Sequence, residues 1–227
     1  IRRSQYTLET MLAHRALTIG AHALFEEYGR TSPARWSYAR VHARTRSFAA
    51  TFLAAGGPET RVALCLDNSV DGACSDLACL LHGILATPLS IHFTTDELVW
   101  IFERLRITVA VADNDERLHR LLEVRKRVTH RFTLFSLQAN RSVERGEAEL
   151  LAAAIARLGP AAVEAALAAQ PRCGLDEPCT VMFTSGSTGR PKGVVFTPFN
   201  LVAKRFARAA ALPAVGRDEV LLCYLPL

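Results

Sequence analysis

Apolar and polar positions along the 227-residue chain change period repeatedly, and the changes predict a succession of helices and strands. Leu8 to Tyr28 reads as a helix ended by Gly29. Ser37 is placed to cap a second helix running to Ala55, with Gly56-Gly57-Pro58 stopping it. A strand from Arg61 to Leu66 follows, then a mostly buried helix from Val70 to Leu81 and an extended stretch from Ala86 to Ile91. Thr94 and Glu97 form a capping-box pair opening a helix to Arg104. Ile107 to Ala112 reads as a strand, Asp115 to Arg127 as a helix and Phe132 to Leu137 as a strand. Strands alternating with helices predict an α/β architecture of stacked layers around a mainly parallel sheet.

The character then shifts. Gln138 to Pro178 is rich in alanine and charge and is broken at Gly159-Pro160 and Pro171. Two short helices, near 144–157 and 161–169, are predicted there as a connector rather than as core strands. Val181-Met182-Phe183 and Val194-Val195-Phe196 are apolar runs on either side of a glycine-rich loop. Thr197-Pro198 is an N-cap followed by proline at the first helical position, opening a helix to about Leu212. Val220 to Leu225 ends the chain as a strand. These breaks divide the chain into an α/β subdomain at 1–137, a helical connector at 138–178 and the start of a further subdomain at 179–227.

The loop carries the densest chemistry. Thr184-Ser185-Gly186-Ser187-Thr188-Gly189-Arg190-Pro191-Lys192-Gly193 holds glycines, four hydroxyl side chains and a lysine. Glycines let a backbone turn tightly and bring N–H groups up to a ligand, and successive N–H groups make an anion nest. Hydroxyls add donors, and the lysine adds a positive point charge. The set suits the oxygens of a polyphosphate. It is not the G-x-x-x-x-G-K-[ST] loop of a strand-to-helix junction. Pro191 lacks an N–H and disfavours a helix at the residue before it, so a strand–loop–strand hairpin is predicted.

The string from Thr184 to Val194 resembles, without a break, the phosphate-binding signature of the adenylate-forming superfamily, which includes acyl-CoA synthetases and peptide synthetase adenylation domains. Earlier segments are similar to that family in order and spacing: Trp36-Ser37-Tyr38, the strand and turn from Arg61 to Ser69, Leu77 to Leu89, Thr94 to Arg104, and Ile107 to Asp113. The resemblance implies the N-terminal part of a large domain. It also implies ATP-dependent activation of a carboxylic acid, fatty or related, to an acyl-adenylate, followed by thioester formation. ATP and Mg2+ serve the first step and CoA the second, as co-substrate. Thr184, Ser185, Gly186, Ser187, Thr188, Gly189, Lys192 and Gly193 are the implied nucleotide contacts, with Lys192 and Thr184 in catalytic roles. Asp218 to Leu227 is similar to the acyl-CoA synthetase form of the segment that follows. A carrier-protein thiol is the alternative acceptor, and a non-catalytic nucleotide-binding relative is the alternative of another class. Later family motifs, including a C-terminal lysine, do not fall within these residues. The chain alone is therefore expected to be catalytically incomplete.

Composition and charge narrow the classes further. Half the residues are hydrophobic, which suits a globular core. The net charge is +5, and all but three of the 27 basic residues (Lys126, Lys192 and Lys204) are arginines spread along the chain. The densest run, Arg117 to Arg131, carries Leu118, Leu121, Leu122 and Val128 at near-helical spacing. It reads as a solvated basic helix face, not as a nucleic-acid footprint. Six cysteines and seven histidines lack zinc spacing, and Cys65, Cys79 and Cys223 fall in apolar runs as small buried hydrophobes. Asp113-Asn114-Asp115-Glu116 lacks the glycine and glutamate of a calcium loop and reads as a strand-end turn with a helix cap. No window reaches the ~18 uninterrupted apolar residues of a transmembrane helix. A reducing, cytoplasmic setting is the expectation.

Overall fold

The computed structural model describes residues 7–28, 33–171, 173–184, 190–215 and 219–220. Helix α1 (Leu8–Thr18) is opened by a capping box between Thr7 and Thr10 and ends far short of the predicted Tyr28. At Gly20 an added Cβ would lie 2.3 Å from the Ala16 carbonyl oxygen, so a bare backbone lets the chain leave the helix there. The next residues, with Phe25 and Tyr28 among them, become β1 (Ala23–Tyr28) and pair antiparallel with β2 (Pro33–Ser37). Strand propensity and a partner segment override the helical reading of this stretch.

Ser37 caps α2 (Tyr38–Gly56), accepting a hydrogen bond from the Arg40 amide. Gly57, at φ 74°, ends that helix in the left-handed region that favours glycine. Then come β3 (Arg61–Cys65), α3 (Val70–Leu81), β4 (Leu85–Pro88), α4 (Thr95–Leu105), β5 (Val109–Ala112), α5 (Asp115–Arg127) and β6 (Thr133–Ser136). The predicted capping box of Thr94 and Glu97 is present at α4, and Asn114 caps α5. In the 138–178 stretch the expected helix near 161–169 is present, and the one expected near 144–157 is replaced by shorter elements. The stretch folds as α6 (Arg141–Glu144), β7 (Glu149–Leu150), α7 (Leu151–Arg157) and α8 (Pro160–Ala169). Its two-residue strand extends the sheet, and Leu151 and Ala154 enter the core. Alanine-rich composition hid so short an edge strand. The chain closes with β8 (Thr180–Thr184), β9 (Lys192–Phe196) and α9 (Pro198–Ala211), the last capped by Thr197 as its sequence predicts. Of the final predicted strand, Val220 is described without strand structure, and Leu221 to Leu225 lie outside the described residues.

Among the described residues seven strands form one sheet in the order β7-β6-β5-β3-β4-β8-β9, parallel except for β9. From β3 the chain steps one way to β4 and then crosses back to β5, so the crossover helices fall on opposite faces. One face is covered by α2, α3 and α7, around Val41, Phe48, Phe52 and Phe135. The other is covered by α4 and α5, around Ile101, Phe102, Leu118 and Leu121. The buried strands accordingly read as continuous apolar runs rather than alternating ones. The carboxyl ends of β3, β4, β5, β6 and β8 share one edge of the sheet, and the amino end of β9 joins them there.

Outside the sheet, α9 places Val202 against Leu81 of α3 and Leu8 and Leu12 of α1. Asp76 of α3 is enclosed in this region, and burial raises its carboxyl to about 6, partly opposed by the charge of Arg205. An unfolded Asp titrates near 3.9. Ionisation therefore costs the folded state, and stability falls as pH rises from about 4 through 6. Asp76→Asn should gain about 3 kcal/mol of unfolding free energy at pH 7.5 and little at pH 4. Urea titration at both values checks this, and an equal gain at each would rule out the buried charge as the cause.

Candidate functional site

The predicted hairpin is formed. β8 and β9 pair in antiparallel register from Thr180↔Phe196 to Thr184↔Lys192, so Thr184 and Lys192 are the closing pair of the ladder. The Thr184 hydroxyl faces the Lys192 carbonyl oxygen at 3.5 Å, and both residues are exposed. Pro191 beside Lys192 is buried and anchors that side of the turn. Among the described residues no carboxylate pairs with Lys192. Ser185, Gly186, Ser187, Thr188 and Gly189 lie outside the described residues.

Gly193 stands opposite Phe183 in the ladder. An added Cβ would lie 3.1 Å from the Phe183 ring and 3.1 Å from Val181 Cγ1, so the absence of a side chain lets the ring lie across β9. The ring meets Phe93 and Trp100 edge-on, at centroid distances of 6.5 and 6.2 Å. Such pairs contribute about 1 kcal/mol each beyond the area they bury. The hairpin joins the parallel sheet through the pair Ala86↔Thr180, with the Ala86 amide donating to the Cys179 carbonyl at 3.0 Å.

A second concave region lies on the same edge, where the order of winding reverses. Open sheets of this kind bind ligands outside the carboxyl ends of their strands at such a point. Here the turns after β3, β5 and β6 and the β1–β2 hairpin enclose about 450 Å³, lined by Glu27, Trp36, Asp67, Asp71, Asp113 and Gln138 among others. Arg117 holds two of these lining residues, Asp67 and Asp113. One guanidinium nitrogen donates to both Asp113 carboxylate oxygens at 2.6 and 2.8 Å, and the other donates to Asp67 at 2.6 Å. The Asp67 amide donates to Asp113 at 2.6 Å and closes the network. Burial would lower the Arg117 pKa, but the hydrogen bonds from Asp67 and Asp113 outweigh it and the net shift is upward. The charge is locked, and it ties β3 to β5.

A parallel sheet wound both ways, with a threonine–lysine hairpin at its carboxyl edge, is the fold the resemblance implied. The AMP-binding enzyme family matches residues 14–227 of the chain. The chain belongs to that family. Mouse long-chain-fatty-acid–CoA ligase 5 is 27% identical over 210 residues, which is 86% of this chain and 30% of that protein. A crystal structure described as a long-chain-fatty-acid CoA ligase from Rhodopseudomonas palustris superposes with a TM-score of 0.79 at 19% identity, over 97% of this chain and 51% of that one. The adenylation domain of a carboxylate reductase from Mycobacterium chelonae gives a TM-score of 0.70 at 22% identity, over 88% of this chain and 36% of that one. The chain thus spans about a third of the length of the curated relative and about half and a third of these two solved structures.

In this member of the AMP-binding enzyme family the structure brings Thr184, Lys192 and Gly193 together at one hairpin mouth. Two features went unread in the sequence. The seating of Phe183 on Phe93 and Trp100 joins residues some ninety positions apart, and nothing local announces it. The Arg117 network left a partial signal. Asp113 and Arg117 have the i, i+4 spacing of a helical ion pair, but Asp67 arrives only through the adjacency of β3 and β5. The expected turn and cap at Asp113-Asn114 is present, with the added role for Asp113. Cys65 and Cys79 are buried free thiols as expected, and burial pushes Cys65 up to about 11, away from nucleophile chemistry. Cys223 lies outside the described residues. Among the described residues no single helix is long and apolar enough to cross a membrane.

Proposed function

We propose that the protein carrying this chain activates a carboxylic acid with ATP and transfers the acyl group to the thiol of CoA. In the first step a carboxylate oxygen attacks the α-phosphorus of ATP, the bond to the bridging oxygen breaks, and pyrophosphate leaves with the developing negative charge. In the second a thiolate attacks the acyl carbonyl and AMP departs. Donors fixed where charge develops are worth most when they need no reorganisation. Lys192 would supply its Nζ charge to the β- and γ-phosphates. Thr184, at the other side of the hairpin mouth, would donate its hydroxyl, and the intervening Ser185, Gly186, Ser187, Thr188 and Gly189, with Gly193 just after Lys192, complete the proposed cradle. Mg2+ would neutralise phosphate charge and be held mainly by the nucleotide, with hydroxyl oxygens of this loop as its protein donors.

The observation carrying this reading is the exposed Thr184–Lys192 pair at the carboxyl edge of a chain that matches the AMP-binding enzyme family from residue 14 onward. A fatty or related acid is favoured because the mouse relative is named as a long-chain-fatty-acid–CoA ligase. The likeness to a carboxylate reductase adenylation domain supports the second reading, in which the acceptor is a carrier-protein thiol. A cytoplasmic setting belongs to the same proposal and is supported by five free cysteines among the described residues.

The intact protein should catalyse ATP–pyrophosphate exchange that depends on added acid, and then form acyl-CoA. Exchange without thioester formation on CoA, but with acylation of a pantetheinylated carrier, would select the second reading. ATP consumption yielding only ADP across a broad panel of acids would sink both.

A further inference from the structure

Phe183 directly precedes Thr184 and faces Gly193, the neighbour of Lys192. It is therefore bonded to Thr184 and paired to the residue that follows Lys192, one step from each residue flanking the hairpin mouth. β8 pairs with β4 only near its start, at Ala86↔Thr180, so by Phe183 its remaining ladder partner is β9. What ties this end of the hairpin to the rest of the molecule is aromatic. Phe93, in the turn after β4, and Trp100, on α4, set their ring edges against Phe183 at interplanar angles of 86° and 81°. From the other side the ring lies close over Gly193, where even a Cβ would stand 3.1 Å from it. The ring is thus held between α4 and the β9 backbone. Phe93 is buried, while Phe183 and Trp100 are half-buried beside the second core of the sheet.

We infer that Trp100 is a positioning residue for the nucleotide step. Acting through Phe183, it sets the base of the β8–β9 hairpin so that Thr184 and Lys192 meet the polyphosphate together. The inference rests on the reading of this hairpin as a phosphate cradle. In this role the effect of Trp100 passes through one ring and one backbone pair rather than through contact with a substrate. Removing its edge frees the Phe183 ring to leave Gly193, and the spacing of the closing pair is then no longer imposed. Ground-state contacts to ATP weaken first, because they depend on both sides of the mouth at once.

The test is steady-state exchange kinetics on the intact protein with Trp100→Leu, Trp100→Phe and Lys192→Ala. Leucine keeps apolar volume and removes the ring, which limits the cost to folding, and circular dichroism and thermal melting confirm that the variant is folded. Trp100→Leu should raise the KM for ATP about tenfold and leave the KM for the acid unchanged. Trp100→Phe should restore most of the ATP affinity. With 5-fluorotryptophan incorporated, the 19F resonance absent from Trp100→Phe should shift when MgATP saturates the parent protein. A folded Trp100→Leu protein with an unaltered KM for ATP overturns the inference, as does an equal rise in KM for both substrates. If Lys192→Ala impairs exchange while Trp100→Leu does not, the cradle stands and the positioning role fails. If Lys192→Ala is without effect, the cradle itself fails.

Discussion

Lys192→Ala in the intact protein should slow acid-dependent ATP–pyrophosphate exchange by about 10²- to 10³-fold, the usual cost of deleting one preorganised donor from a site of developing charge. The expectation follows from where the ladder ends. Lys192 is the first paired residue after the loop, it is exposed, and no carboxylate among the described residues pairs with it. For the same reasons its removal should shift the melting temperature by less than about 1 °C, because surface substitutions away from such features are usually neutral. Lys192→Arg keeps the charge but changes its shape and reach, so a partial loss is expected there. The measurement is radiolabelled exchange at saturating acid alongside a thermal melt. An alanine variant that melts like the parent and exchanges at the parental rate removes Lys192 from the mechanism.

The largest loss of stability should come from Arg117→Met. Arg117 and Asp113 are 10% and 13% exposed, so the substitution strands the Asp113 carboxylate away from water with its principal partner gone. Breaking a buried pair on one side costs about 3 kcal/mol or more, whereas replacing both partners together is often close to neutral. In a domain of this size about 3 kcal/mol lowers the melting temperature by roughly 6–12 °C. Asp67, at 69% exposure, is solvated and adds little to the loss. Asp113→Asn should therefore recover much of the stability lost in Arg117→Met. Urea denaturation of the two single variants and the double variant supplies the cycle. Additive losses would show that the two side chains do not act as a pair.

Much of this architecture was legible because local chemistry and tertiary demand agree. The helix caps at Ser37, Thr94, Asn114 and Thr197 each pair a polar side chain with the amide three residues on. Helices α3 and α5 begin and end where the apolar period does. The hairpin was readable from Pro191 and the flanking apolar runs. Legibility failed where a distant partner decides. Leu24 and Phe25 pack on the α2 face of the sheet as part of a hairpin, not as a continuation of α1. The two residues of β7 are strand only because β6 lies beside them. At the candidate site, the residue types of the loop carried the chemistry, while the aromatic seat and the Asp67–Arg117–Asp113 network depend on chain crossings that no local window contains.

The strand order also sets how far the two charged regions of the sheet edge can feel each other. Asp113 follows β5, and Thr184 ends β8, three strand positions away across β3 and β4. At about 4.8 Å per strand that is roughly 14 Å. The Debye length at physiological ionic strength is only about 8 Å. The acidic turns around Arg117 are therefore screened from anything held between Thr184 and Lys192, and neither attract nor repel it appreciably. Sites so separated, with no shared partner, usually respond independently to substitution. One edge of one sheet thus carries two electrostatic neighbourhoods of different sign, insulated by the width of the strands between them.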